Sequence, residues 1–194
     1  DGVVDPYGHG THIASVIANS NPSLDDKWGE LYQGIAPDAN LVIVRAFGDE
    51  RRGSYVHAIR AIDYVIEHKD QYNIKVLNLS VSAKPQSAYW ADPLNQAVMR
   101  AWDAGIVVVA AAGNSGPDPM SVGVPGNVPY IITVGAMTDS YTPDFSGDDK
   151  LTSFSAAGPT HEGFAKPDLV APGGHMIGYM DKEATLFNQH PDFY

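Results

Sequence analysis

The stretch Ile106-Val107-Val108-Val109-Ala110-Ala111-Ala112-Gly113-Asn114-Ser115-Gly116 decides the fold. Ile106 to Ala112 runs without a polar break, and its first four residues are β-branched. The run is too short to cross a membrane, which takes about 20 residues. It does not alternate, as a strand with one wet face would. It reads as a strand covered on both faces, the pattern of a parallel sheet. Gly113 to Gly116 then turns the chain, because Gly, Asn and Ser favour tight turns.

Outward from this strand the pattern repeats. Pro93 to Ala104 is expected as a helix, opened by Pro and stopped at Gly105. Ile74 to Val81 reads as a buried strand before it. Tyr55 to Lys69 reads as a helix capped by Ser54, with Ile59, Ile62, Val65 and Ile66 inward. Later strands are expected at Tyr130 to Val134, Leu151 to Ser155 and Leu169 to Ala171. Toward the start, Leu41 to Val44 has strand length and Thr11 to Asn19 has helical spacing. Ser20 to Pro37 and Gly174 to Tyr194 read as loops. Strands alternating with helices imply an α/β fold: a three-layer, mostly parallel sheet with helices on both faces. Residues 1–194 read as one domain, with no repeat or linker.

The chain has 194 residues, no cysteine and a formal net charge of −11. The length suits one sizeable core. Without cysteine there are no disulfides and no thiolate metal sites. The negative charge argues against nucleic acid or an anionic membrane as partner. The opening Asp1-Gly2-Val3-Val4-Asp5 reads as mid-domain sequence rather than a leader.

Open parallel sheets bind ligands beyond the carboxyl ends of their strands. Ser80-Val81-Ser82 ends one strand, and Gly113 to Gly116 follows the strongest. His9 lies in Gly8-His9-Gly10-Thr11-His12, at the start of a helix. An imidazole there suits proton transfer. Taken alone, His9 is a solvated loop histidine and Asn114 a turn residue between glycines. His9, His12 and Asp5 suggest zinc weakly, since the i,i+4 histidine pair of a zincin helix is missing. Gly113 to Gly116 as a phosphate loop lacks both G-x-G-x-x-G and a P-loop lysine.

Asp5 to Ala14 resembles the histidine motif of the subtilisin-like serine proteases, the subtilases. Val107 to Gly116 resembles their oxyanion-asparagine motif. Val76-Leu77-Asn78-Leu79-Ser80 is similar to their substrate-binding strand. Lys166-Pro167-Asp168-Leu169-Val170-Ala171-Pro172-Gly173 is similar to the stretch before their nucleophile. The segments stand in family order over nearly the whole chain.

The resemblance implies a subtilisin-like fold truncated at both ends, and a serine endopeptidase that cuts extended polypeptide. It implies His9 as general base and Asn114 as oxyanion donor. Ser80, Val81 and Ser82 would pair with substrate backbone, and Gly53-Ser54-Tyr55 would form the opposite rim. Ala111, Gly113 and Gly123 would line the pocket for the residue before the cut. Being small and uncharged, they suggest a large apolar residue there. Ser82 departs from the family's usual glycine.

The family places its aspartate about thirty residues before the histidine, and only eight residues precede His9 here. It places its serine in Gly-Thr-Ser, which does not occur in residues 1–194. A non-catalytic peptide-binding pseudoprotease is therefore the alternative. No cofactor is implied for catalysis, and structural calcium is possible in the family. Asp25, Asp26 and Glu30 form one acidic loop, and Asp139, Asp144, Asp148 and Asp149 another. Neither has a recognisable ligand spacing. The resemblance also implies secretion and a cis Val124–Pro125 bond.

Overall fold

A computed structural model describes residues 4–20, 23–24, 31–48, 53–142 and 144–191. In chain order the elements are α1 (His9–Ala18), β1 (Ser23–Leu24), β2 (Leu31–Tyr32), α2 (Tyr55–Glu67), α3 (Lys69–Tyr72) and β3 (Val76–Leu79). They continue with α4 (Pro93–Asp103), β4 (Val107–Ala111), β5 (Ile132–Thr138), β6 (Lys150–Leu151), β7 (Leu169–Pro172) and α5 (Thr185–Gln189). The chain divides into two compact units: residues 1–54 with 176–194, and residues 55–175.

The second unit holds the sheet, in the order β3-β4-β5-β6 with β7 also paired to β5. β3, β4, β5 and β7 run parallel and β6 antiparallel. The sheet is open and mostly parallel, as the apolar run requires. Its register puts Leu77 beside Val108 and Leu79 beside Ala110. It puts Ala110 beside Thr133. Val108, Ala110 and Thr133 are buried on this face. α4 packs on it and buries Leu94, Ala97, Val98 and Ala101, the i, i+3, i+4, i+7 stripe of an amphipathic helix. Each aliphatic side chain removed from water in this way contributes about 1.5–3 kcal/mol. α2 packs on α4, with Ala58, Ile62 and Val65 buried. On the opposite face Val76, Val107, Ile132 and Leu169 keep 38–56% of their surface exposed.

α4 begins and ends where its sequence directs. The buried Asp92 carboxylate accepts from the backbone N–H groups of Leu94 (2.9 Å) and Asn95 (3.1 Å), and Pro93 opens the helix. Gly105, at φ 80°, takes the left-handed turn that stops it. β7 is pinned less legibly. Lys166 is buried, and its ammonium donates to the Ile131 carbonyl (2.7 Å) and the Asp168 carboxylate (2.6 Å). The same carboxylate accepts from the Thr133 N–H (2.7 Å). A buried cation needs such partners, and these tie β7 to the start of β5.

In the first unit, residues 34–36 donate to the last turn of α1, at Asn19, Val16 and Ile17. The start of α5 donates to the carbonyls of Pro6 and Tyr7.

Three expectations give way here. Leu41 to Val44 is not a strand, and Leu41, Val42 and Ile43 are exposed. Among the described residues no strand pairs with it, so its backbone has no ladder to join. Residues 174–194 are not all loop. α5 forms at Thr185–Gln189 on a turn in which Ala184 N–H donates to the Asp181 carbonyl. Five residues are too few to show a helical period. Part of the expected 20–37 loop pairs as β1 with β2.

Candidate active site

Within the second unit the sequence motifs meet at the carboxyl ends of β3 and β4. The β3–β4 ladder ends at Leu79 and Ala110. Ser80, Val81 and Ser82 then run outside the ladder until Ala83 pairs with Val124. Ala83 and Val124 exchange hydrogen bonds of 2.9 and 2.8 Å. Gly123 N–H donates to the Ala112 carbonyl at 2.9 Å. These bonds bring residues 80–83, 111–114 and 123–124 into one cluster. Val124–Pro125 is cis, as the resemblance implied.

Beneath the cluster, Ala112, Val122 and Ala156 form a small buried core. Gly113 has φ 110°, which a side chain would resist, and this swings the chain off the end of β4. Asn114 follows it and is exposed. Its side-chain amide has no hydrogen-bond partner among the described residues. A primary amide held so can donate to a developing anion.

Tyr55 lies in the same unit, but its hydroxyl points inward. It donates to the Asp92 carboxylate at 3.3 Å. Burial, then the charge of Asp92, raises the phenol above its ordinary value. Tyr55 thus joins the first turn of α2 to the cap of α4. Gly53 belongs to the first unit and lies against the Phe47 ring.

His9 is also in the first unit, exposed, as the first residue of α1. Gly8 caps the helix in the left-handed region (φ 97°) and has no side chain to offer. Asp5 supplies one instead. Its carboxylate accepts from Gly8 N–H (3.0 Å), Thr11 N–H (2.8 Å) and the Thr11 hydroxyl (2.9 Å). Partial burial opposes the charge. The bonds from Thr11 and Gly8 and the nearby charge of His9 outweigh it, holding the carboxyl below its ordinary value. The cap could have been suspected from Asp5 standing three residues before Gly8. His12 is half-buried beside Gly178.

Asp5→Ala should therefore lower the stability of the first unit by about 0.5–2 kcal/mol, the cost of a lost helix cap. Because the folded pKa is depressed, that contribution is complete above about pH 4. It is lost as the pH falls through the folded value. Thermal melts of wild type and variant at pH 7 and in acid should converge in acid. Parallel curves at all pH values would remove the charge from the explanation.

Among the described residues, no three His, Asp or Glu side chains come together to hold a metal ion. Asp148 instead accepts from the Thr142 hydroxyl at 2.8 Å, and Asp139 from Tyr141 N–H at 3.1 Å. Asp25, Asp26 and Glu30 lie outside the described residues. No helix among the described residues is long and apolar enough to cross a membrane.

The fold and this cluster define an open-sheet α/β protein whose candidate functional residues lie at the strand ends. Comparison gives the family. The profile described as the subtilase family, Peptidase_S8, matches residues 2–193, and the chain belongs to that family. It is 39% identical over 189 residues to serine protease AprX of Bacillus subtilis, covering 92% of this chain and 42% of that protein. It is 36% identical over 159 residues to subtilisin-like protease 2 of Trichophyton verrucosum, covering 79% of this chain and 33% of that one. Among solved structures it resembles the S41 psychrophilic protease (TM-score 0.74, 30% identity), over 95% of this chain and 58% of that one. It also resembles sphericase (TM-score 0.72, 26% identity), over 93% and 57%. The chain therefore spans about two-fifths of the length of AprX.

Proposed function

We propose that this chain is the part of a secreted serine endopeptidase that carries the general base, the oxyanion donor and the substrate strand. The observation that carries the reading is the exposed Asn114 amide after β4, unpartnered among the described residues and clustered with the unladdered segment 80–82. An extended peptide adds to such a segment by backbone hydrogen bonding, and side-chain pockets then select it. His9 takes the proton of a serine hydroxyl as its oxygen attacks the scissile carbonyl. The C–O bond forms while the carbonyl π electrons move onto oxygen, where Asn114 N–H meets the new negative charge. His9 returns the proton to the departing amine, and water releases the acyl group by the same steps in reverse order. No metal or organic cofactor takes part in these steps. Residues 1–194 hold no Gly-Thr-Ser, and the chain spans two-fifths of AprX. The serine and its partner aspartate are accordingly assigned to segments outside these residues.

The test is activity-based labelling of the protein at its full encoded length. A biotinylated fluorophosphonate should label one serine, and that serine should fall outside residues 1–194. Labelling within residues 1–194 would overturn the assignment of roles. No labelling, with extended peptides still bound, would instead favour the non-catalytic peptide binder.

A further inference from the structure

Resting on the peptidase reading, we infer that Ser82 fills the pocket for the residue before the cut and restricts that residue to small side chains. Gly113 and Gly123 are the two residues whose missing side chains would open this pocket. The nearest atom to a β-carbon built on either glycine is the same one, Ser82 Oγ. It would stand 2.6 Å from the β-carbon at Gly113 and closer still to that at Gly123. The space left by two glycines is therefore taken by one hydroxymethyl group.

Rotation about χ1 does not clear it. Turning the side chain moves Oγ but leaves Cβ where the backbone puts it. Ser82 Cβ lies 3.3 Å from the position a Gly113 β-carbon would take, and 3.4 Å from that at Gly123. An aromatic ring between the two glycines needs van der Waals clearance on each side, about 3.5 Å per contact. The methylene occupies that slot in every rotamer.

The backbone is not placed to yield. Ala83 is bonded twice to Val124, and Gly123 to Ala112, so both walls belong to one hydrogen-bonded row. A β-carbon at Gly123 would also come within 2.8 Å of the Ala83 carbonyl, which leaves little depth below the serine. Ser82 Oγ has no hydrogen-bond partner among the described residues. It thus presents a polar group where an apolar side chain would have to go. Gly, Ala and Ser before the cut fit this space, and Phe, Tyr and Leu do not. The small, flat walls of Ala111, Gly113 and Gly123 suggest the opposite when read without Ser82.

The experiment uses the protein at its full encoded length as wild type, Ser82→Gly and Ser82→Ala, against the p-nitroanilides of Ala-Ala-Pro-X with X as Ala or Phe, in which the bond from X to p-nitroaniline is cut and the free acid Ala-Ala-Pro-X is released. Wild type should prefer Ala. Ser82→Gly should raise kcat/KM for Phe relative to Ala by about tenfold or more, the scale of size discrimination in an apolar pocket. Ser82→Ala keeps Cβ and should keep the preference for Ala, which separates volume from the hydroxyl. A wild-type preference for Phe, or a Ser82→Gly ratio unchanged within twofold, would overturn the inference. Should a fluorophosphonate label no serine and the protein cut neither substrate, the peptidase reading fails by itself. The pocket is then read by the Kd of the product acids Ala-Ala-Pro-Ala and Ala-Ala-Pro-Phe, with the same order expected for the same variants. Equal Kd values across the three proteins would overturn it.

Discussion

His9→Ala should reduce kcat of the full-length enzyme by about 10⁶-fold, the cost of removing the corresponding histidine in subtilisin, where the catalytic groups act as one unit. The fold should survive, because the substitution suits the position. His9 is exposed at the first residue of α1, and alanine is the best helix former. The helix start is held by Asp5 on Gly8 and Thr11, and those hydrogen bonds do not use the His9 side chain, although its charge acts on the Asp5 carboxylate. A melting temperature near wild type with activity gone would therefore report chemistry alone. KM should change little, since the proposed role of His9 is proton transfer, while substrate binding is assigned to segment 80–82 and to Ala111, Gly113 and Gly123. A loss of activity under tenfold would remove His9 as the base. The pseudoprotease alternative makes a separate forecast: peptide affinity unchanged by His9→Ala, with no hydrolysis in either protein.

Most of the sheet was legible because its residues have few other places to go. Ile106 to Ala112 forms β4 at Val107–Ala111, but its burial alternates and Val107 is half exposed, where the unbroken apolar run predicts cover on both faces. Pro93 and Gly105 bracket α4 as punctuation should. The expected strand at Tyr130 to Val134 starts two residues later and runs on to Thr138, because pairing with β6 and β7 carries it past its apolar stretch. The helix expected to Lys69 breaks after Glu67, and α3 restarts at Lys69. Leu41 to Val44 failed because strand propensity needs a neighbour, and composition does not say whether one is near. The polar links were the least visible. Lys166 sits among Pro and Asp residues that look like surface, yet its chain is buried and its ammonium donates to Ile131 and Asp168. Asn95 donates to Asn127 across 32 residues, a pairing no local pattern foretells. The candidate site residues were chosen by motif order. Whether Ser82 blocks or borders its pocket depended on where Gly113 and Gly123 put their backbones.

Asn114→Ala should lower kcat by roughly 10²–10³-fold, the loss seen for one oxyanion-hole donor in subtilisin, while KM stays near wild type. The split between the two constants follows from when the amide is used. A ground-state carbonyl carries little charge, and the full negative charge exists only as the tetrahedral species forms. An interaction made only then is missing from binding and present in the barrier. The structure adds a second readout. The Asn114 side chain is exposed and holds no bond to any described residue, so its removal takes nothing from the folded state. The turn is set by Gly113 at φ 110° and by Ala156 N–H donating to the Gly113 carbonyl at 2.9 Å, and both remain in the variant. The melting temperature should therefore stay within about 2 °C, since changes within about 0.5 kcal/mol are typical of such exposed sites. Asn114→Asp should be at least as slow, because it swaps a donor for a negative charge facing the oxyanion. A raised KM with kcat intact would assign Asn114 to substrate binding. A lowered melting temperature would make it a turn residue whose loss disturbs β4, and either result would remove it from the oxyanion site.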